Sequence, residues 1–225
     1  MHTTRTRLIA TTALTLAGLL AACATTDPYP STDANGLTRQ ASKDFDALYL
    51  AADANAGQYK QIKLTVPSVE FRPHWQRDQN ASRSVSTDRV TDEVVEEVRK
   101  GAAESLLIEF GRQFERAGYT LTDDAGPDVL QLEPAIVDLD VAAPDTSRYS
   151  SSVSTTYTKS KGKATLDLKM VDSTTGKVIG HVIDEKEDTD SGMFWMANSV
   201  SNRAEANRAM RDWADDIVAV LKAGN

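Results

Sequence analysis

Ala164-Thr165-Leu166-Asp167-Leu168-Lys169-Met170-Val171, then Asp172-Ser173-Thr174-Thr175-Gly176, then Lys177-Val178-Ile179-Gly180-His181-Val182-Ile183-Asp184 is the stretch that decides the fold. Ala164, Leu166, Leu168 and Met170 recur at every second position, the period of a strand with one buried face. A polar segment ending in glycine turns the chain, and a second β-rich run follows, so the stretch reads as a β-hairpin. Upstream, Val94, Val98, Ala102, Leu106, Phe110 and Phe114 recur at i+4 with Val95 and Leu107 beside them. That stripe predicts a long helix capped by Thr87 or Asp88 and running to about Ala117, with Gly118 as its C-terminal stop. Its outer face carries Glu93, Glu96, Glu97, Arg99, Lys100, Glu104 and Arg112. Downstream, Met210, Trp213, Ala214, Ile217, Val220 and Leu221 give a second helix, from about Ser201 to Lys222.

Three further strands are expected. In Tyr59–Phe71 the apolar phase runs through Ile62, Leu64 and Val66 and flips after Pro67 to Val69 and Phe71. Because proline has no N–H for a ladder, Pro67 marks an edge or a bulge. Tyr119–Thr122 is short. Val129–Val141 carries Leu130 and Leu132 in one phase, and beyond Pro134 the phase shifts to Val137, Leu139 and Val141. Two strands that each combine a proline with a phase change are expected to meet at a bulged part of the sheet. The fold class predicted is α+β, a mostly antiparallel sheet of four to five strands with two long helices packed on one face. A Ser/Thr/Tyr-rich loop spans residues 143–162 and is too polar to bury.

The amino-terminal sequence has a different character. Arg5 and Arg7 precede an apolar run, Leu8 to Leu20, shorter than the roughly 20 residues that span a bilayer, as in a secretory signal peptide. It ends Leu20-Ala21-Ala22-Cys23, which resembles the bacterial lipobox; that resemblance implies cleavage between Ala22 and Cys23 and a lipid on the Cys23 sulfur. Ordinary cleavage after Ala24, also a small-x-small site, is the alternative and would release a soluble protein. Cys23 is the sole cysteine, so no intrachain disulfide can form and a lipid thioether would consume the thiol. Ala24 to Arg39 is rich in Thr, Ser, Asp and Pro, and reads as a flexible tether with a reach of about 20 to 25 Å. The expected organisation is therefore a signal peptide over 1–22, a lipidated tether over 23–42 and a single periplasmic domain over 43–225. Ala24 is not the aspartate associated with inner-membrane retention, which favours the outer membrane. Removal of Arg5 and Arg7 would take the formal charge from −8 to −10, an acidic balance with no footprint for nucleic acid.

No motif for chemistry stands out. His74 and His181, the histidines beyond the signal, have no second histidine at metal-ligand spacing, and no metal or cofactor is expected. Serines lack a Gly-x-Ser-x-Gly elbow. Asp138 and Asp140, like Asp123 and Asp124, read as solvated carboxylates. Lys60, Lys63, Arg72 and Arg77 stand among acidic residues without a glycine-rich phosphate loop. Met193-Phe194-Trp195-Met196 either seals the core or forms an interaction patch, and Trp75 poses the same choice.

Four segments together carry a family resemblance: Tyr59-Lys60-Gln61-Ile62-Lys63-Leu64; Gly118-Tyr119-Thr120-Leu121 running to Gly126-Pro127-Asp128-Val129-Leu130; Leu168 to Gly176; and Trp213-Ala214. They resemble the bacterial lipoprotein family known as domain of unknown function 3313. The resemblance implies an exported, lipid-anchored envelope protein and brings no activity, substrate or cofactor. The expected role is a non-enzymatic module that binds or scaffolds another envelope protein, attached to the membrane through Cys23. An envelope hydrolase with an unrecognised site and a carrier of lipid or another apolar ligand are the alternatives. Oligomeric state is not encoded in any of these features.

Overall fold

The computed structural model describes residues 27–81, 89–141, 157–158, 162–187, 195–196 and 199–224. In chain order the elements are β1 (Thr38–Gln40), β2 (Ala47–Leu50), β3 (Gln61–Leu64), β4 (Ser68–Phe71), α1 (Trp75–Ala81), α2 (Asp92–Arg116), β5 (Thr120–Leu121), β6 (Val129–Asp140), β7 (Tyr157–Thr158), β8 (Lys163–Asp172), β9 (Val178–Glu187), β10 (Trp195–Met196) and α3 (Ser199–Ala223). The deciding stretch is the hairpin β8–β9, paired antiparallel from Lys163↔Glu187 to Val171↔Val178. Its turn is built by Asp172, whose Oδ1 accepts from the Thr174 and Thr175 N–H groups at 3.1 and 2.8 Å. Gly176, at φ +71°, then donates its N–H to the Asp172 carbonyl at 2.8 Å. That left-handed conformation is open to glycine at little cost.

The main sheet has eight strands in the order β1-β2-β9-β8-β6-β3-β5, with β4 also pairing β6. It is mixed. The run from β1 to β6 is antiparallel, whereas β3 and β4 lie parallel to β6, and β5 parallel to β3. The expectation of four to five mostly antiparallel strands is corrected here, and the reason is topological. Parallel neighbours need a crossover connection, and α2 supplies it between β4 and β5.

Pro67 behaves as its phase change suggests, and Pro134 does not. Leu64 pairs with Leu132 and Ser68 with Ala135, so three residues, Thr65, Val66 and Pro67, stand opposite two, Glu133 and Pro134. This bulge breaks the first long strand into β3 and β4 and pushes Val66 outward to 83% exposure. The strand β6 keeps its phase through Pro134, however; its register slips between Val137 and Asp140, where Asp138 takes φ +51°.

The helices α2 and α3 cover one face of the sheet. Leu106, Phe110 and Phe114 from α2 and Met210, Trp213, Ile217 and Leu221 from α3 pack on Ile62, Leu130, Leu132, Ile136, Leu166, Leu168, Met170 and Val182. Glu109 of α2 is buried between Arg112 and Arg211, at 3.3 and 3.5 Å, and ties the two helices together. Three boundaries differ from expectation. The helix α2 starts at Asp92 with Thr91 as its N-cap, and residues 87 and 88 lie outside the described residues. The short helix α1 was not expected; Trp75, 1% exposed, anchors it by stacking on Phe71 and donating its indole N–H to the Val141 carbonyl at 3.2 Å.

The third difference concerns the expected tether. Residues 27–40 are folded: Thr32 bridges Thr38, the Arg39 N–H donates to the Ser31 carbonyl at 2.9 Å, and Leu37 is buried with Ala47 and Tyr49. The chain lies as a strap over the face of β2 and β9 that the helices leave open. Asp33 and Asn35-Gly36, read from composition as tether, make its turn. The Asp33 carboxylate accepts from the N–H groups of Asn35 and Leu37 at 2.9 and 2.8 Å, with Gly36 at φ +78°.

Candidate functional site

Three polar constellations are built into this frame. The first gathers most of the motifs that carried the family resemblance at one end of the sheet. Asp128 accepts from the Gln61 side chain at 3.2 Å, and its carbonyl receives the N–H groups of Lys60 and Gln61 at 2.9 and 3.1 Å. The Ser173 hydroxyl donates to the Gly126 carbonyl at 3.0 Å and accepts the Gly126 N–H at 3.1 Å. Tyr59 donates its hydroxyl to Asp172 at 2.9 Å; burial foremost, then that bond, pushes its phenol up to about 12. Each group satisfies another, so the knot is structural: it locks the turn before β6 to the hairpin turn.

The second joins the remaining motif to the sheet. Trp213, 1% exposed, donates its indole N–H to Asp184 Oδ2 at 2.8 Å, and the Asp46 N–H donates to Asp184 Oδ1 at 3.2 Å. Burial pushes the Asp184 carboxyl above its usual range, with the indole bond and nearby Lys186 pulling the other way. Lys186 lies 3.6 Å from Asp184 and 3.7 Å from Asp216, whose carboxyl is also pushed up by burial.

The third is a clamp on His181, which is 9% exposed. Its Nδ1 lies 2.9 Å from Asp33 Oδ2 on the strap and its Nε2 lies 3.0 Å from Asp167 Oδ1 on β8. Tyr49 stacks on the imidazole with centroids 5.8 Å apart. A carboxylate can only accept, so both contacts are hydrogen bonds only when both ring nitrogens carry protons. The bond to Asp167 raises the imidazole above its usual range, burial opposes this, and the bond to Asp33 adds to the rise. Burial acts to raise Asp33 in turn, but its bonds from Asn35, Leu37 and His181 hold it below the usual carboxylate range.

The other sequence candidates are placed as follows. Ala22, Cys23, Met193 and Phe194 lie outside the described residues. Trp195 and Met196 form β10, paired with Thr158 and Tyr157 of β7. His74 is exposed at φ +64° beside buried Trp75. Asp138 is exposed, whereas Asp140 binds Arg72 at 2.7 Å, and Arg72 also pairs with Asp78 at 2.8 Å. Asp123 and Asp124 sit exposed in a turn. A groove of about 500 Å³ beside the strap is lined by Tyr29, Arg39, Phe45 and Asp46 among others. Its guanidinium is already engaged by Asp27 and by the carbonyls of Tyr29 and Asp46. Among the described residues no cluster of three or more His, Cys, Asp or Glu could hold a metal ion. In the sequence His181 stands as an isolated strand histidine, because its two partners lie 148 and 14 residues away.

No curated protein matches the chain. Among solved structures, the PelC dodecamer from Paraburkholderia phytofirmans is 7% identical with a TM-score of 0.34, over 73% of this chain and 91% of that one. A protein of the DUF330 family from Xanthomonas campestris is 15% identical with a TM-score of 0.36, over 74% and 86%. A DUF4136 family protein from Bacteroides thetaiotaomicron is 13% identical with a TM-score of 0.34, over 76% and 94%. The family model described as a protein of unknown function, DUF3313, matches residues 31–217, a span that starts within the strap and ends within α3. This chain belongs to the DUF3313 family.

Proposed function

We propose that the protein is an exported lipoprotein, held to the outer membrane by lipid on Cys23, whose periplasmic domain binds or scaffolds another envelope component without catalysing a reaction. The observation that carries the anchor is Leu20-Ala21-Ala22-Cys23 behind an apolar run, with Cys23 the sole cysteine. Among the described residues no helix is long and apolar enough to cross a membrane, which is compatible with attachment by lipid. The non-catalytic reading is supported by His181. A general base needs a ring nitrogen free to take a proton, and both of these nitrogens face carboxylates within 3.0 Å. The domain is therefore read as a binding module.

Two measurements test this. Cys23→Ser is expected to abolish labelling by a radiolabelled or alkyne-tagged fatty acid and to leave the protein unprocessed; variant protein with unchanged mature mass in the membrane fraction would refute the anchor. In-cell cross-linking of the wild-type chain is expected to yield one reproducible envelope partner, and repeated capture of none across growth conditions would refute the binding role.

A further inference from the structure

Beyond its links to β1 through Arg39 and Thr38, the strap over residues 27–37 meets β2 and β9 at three points of different chemistry. The Tyr49 hydroxyl donates to the Pro30 carbonyl at 3.0 Å, Leu37 inserts between Ala47 and Tyr49, and Asp33 meets His181. The first two are indifferent to mild changes of pH. The third depends on the state of one imidazole. A neutral ring carries a single N–H, so it can donate to Asp33 or to Asp167 but never to both, and the nitrogen left bare then presents its lone pair to a carboxylate.

The surroundings of His181 come from every element packed on it. In antiparallel pairs, residues directly opposite share a face, so Arg39, Tyr49, His181, Lys169 and Glu133 form one row across β1, β2, β9, β8 and β6. Arg39 is spent on Asp27, and Lys169 is flanked by Glu133 and His181. Asp33 from the strap and Asp167 from β8 are the two charges in hydrogen-bond contact with the ring, and both are negative.

We propose that Asp33, His181 and Asp167 form a pH-responsive latch, which holds residues 27–37 on the sheet while His181 is an imidazolium and releases them when it is neutral. The sign follows from linkage. The reference is the strap-open state, in which Asp167 still bonds the ring, so only the Asp33 share of the raised proton affinity stabilises closure; that share is fully present while the open-state imidazole is protonated and is lost as pH rises through the closed-state value. Asp33, held low, sets the opposite limit: its contribution is lost as pH falls through its own depressed value. The strap is held best in mildly acidic solution and loosens toward alkaline pH. Opening frees the chain without breaking a core strand, and it uncovers Tyr49 and Ala47. The latch does not depend on the lipid anchor.

Amide hydrogen exchange on the full mature chain tests the proposal. The Arg39 N–H of β1 donates to the Ser31 carbonyl and reports the closed strap directly, while the Leu37 N–H, bonded to Asp33 within the strap, reports it through the burial of Leu37 with Ala47 and Tyr49. Their protection factors, corrected for intrinsic exchange, should be constant in mildly acidic solution and fall by up to tenfold per pH unit as the imidazole loses its proton, levelling off once the closed-state ring is neutral, while β8 amides remain unchanged. His181→Gln, which keeps a single donor nitrogen and takes no charge, should show low protection at Leu37 independent of pH, with an unchanged far-ultraviolet spectrum. Asp33→Asn should lose the same pH dependence. Constant wild-type protection between pH 6 and 9, or loss shared equally by β8, would overturn the latch; so would an unchanged pH profile in His181→Gln.

Discussion

Replacing Trp213 with Phe isolates one buried hydrogen bond whose worth can be worked from its surroundings. The indole is 1% exposed and is the only side chain that donates to Asp184 within hydrogen-bond distance among the described residues, at 2.8 Å. Hydrogen bonds to charged groups contribute about 1.5 to 3 kcal/mol, and the carboxylate that loses its donor stays buried. The smaller ring leaves roughly 40 Å³ unfilled, which at about 24 cal/mol per Å³ adds about 1 kcal/mol. Trp213→Phe should thus destabilise the domain by about 3 kcal/mol, a large share of a typical 5 to 15 kcal/mol. With a urea slope of about 2 kcal/mol/M the midpoint, followed by far-ultraviolet circular dichroism, should drop by about 1.5 M. The loss should also depend on pH. Burial raises Asp184 already, and losing the indole raises it further, so the folded variant takes up a proton more readily than the unfolded chain. Its deficit should shrink as pH falls through the variant's raised value and level off below the wild type's own folded-state value. A loss under about 1 kcal/mol, or one equal at about pH 7 and about pH 4, would refute the idea that the indole serves a charged carboxylate.

Two glycines give predictions of opposite sign. Gly101 lies exposed inside α2 with nothing within 4 Å of an added Cβ, so Gly101→Ala should stabilise by about 0.5 to 1 kcal/mol, seen as a higher Tm. Gly176 also has open space around it but sits at φ +71°; Gly176→Ala should cost about 1 kcal/mol, read as a lower urea midpoint with an unchanged slope.

The elements written in local periodicity were legible. The i+4 stripe of α2 needs only neighbours a turn apart, the alternation Leu166, Leu168, Met170 needs only a pleat, and the phase flip at Pro67 calls for an edge or a bulge, of which the chain forms the bulge between β3 and β4. What stayed hidden depends on distant partners. Parallel pairing of β3 with β6 leaves no short-range turn signal, since the link runs through two helices. The strap was read as tether because Asp33, Asn35 and Gly36 are the residues of both a loose linker and a tight turn; only closure onto His181, 148 positions later, distinguishes the two. The polar clusters were illegible for the same reason: Trp213 read as an apolar face residue, while its role at Asp184 depends on α3 crossing β9.

The folded strap also changes the mechanics of attachment under the lipid-anchor proposal. Four backbone steps separate Cys23 from Asp27, a leash of about 14 Å at full stretch, so a latched domain is confined against the bilayer surface. Freeing the chain as far as Thr38 lengthens that leash to fifteen steps, about 50 Å. The volume swept grows with the cube of the radius, roughly fifty-fold by the same contour lengths. A single imidazole would then set how far from its membrane the domain can search.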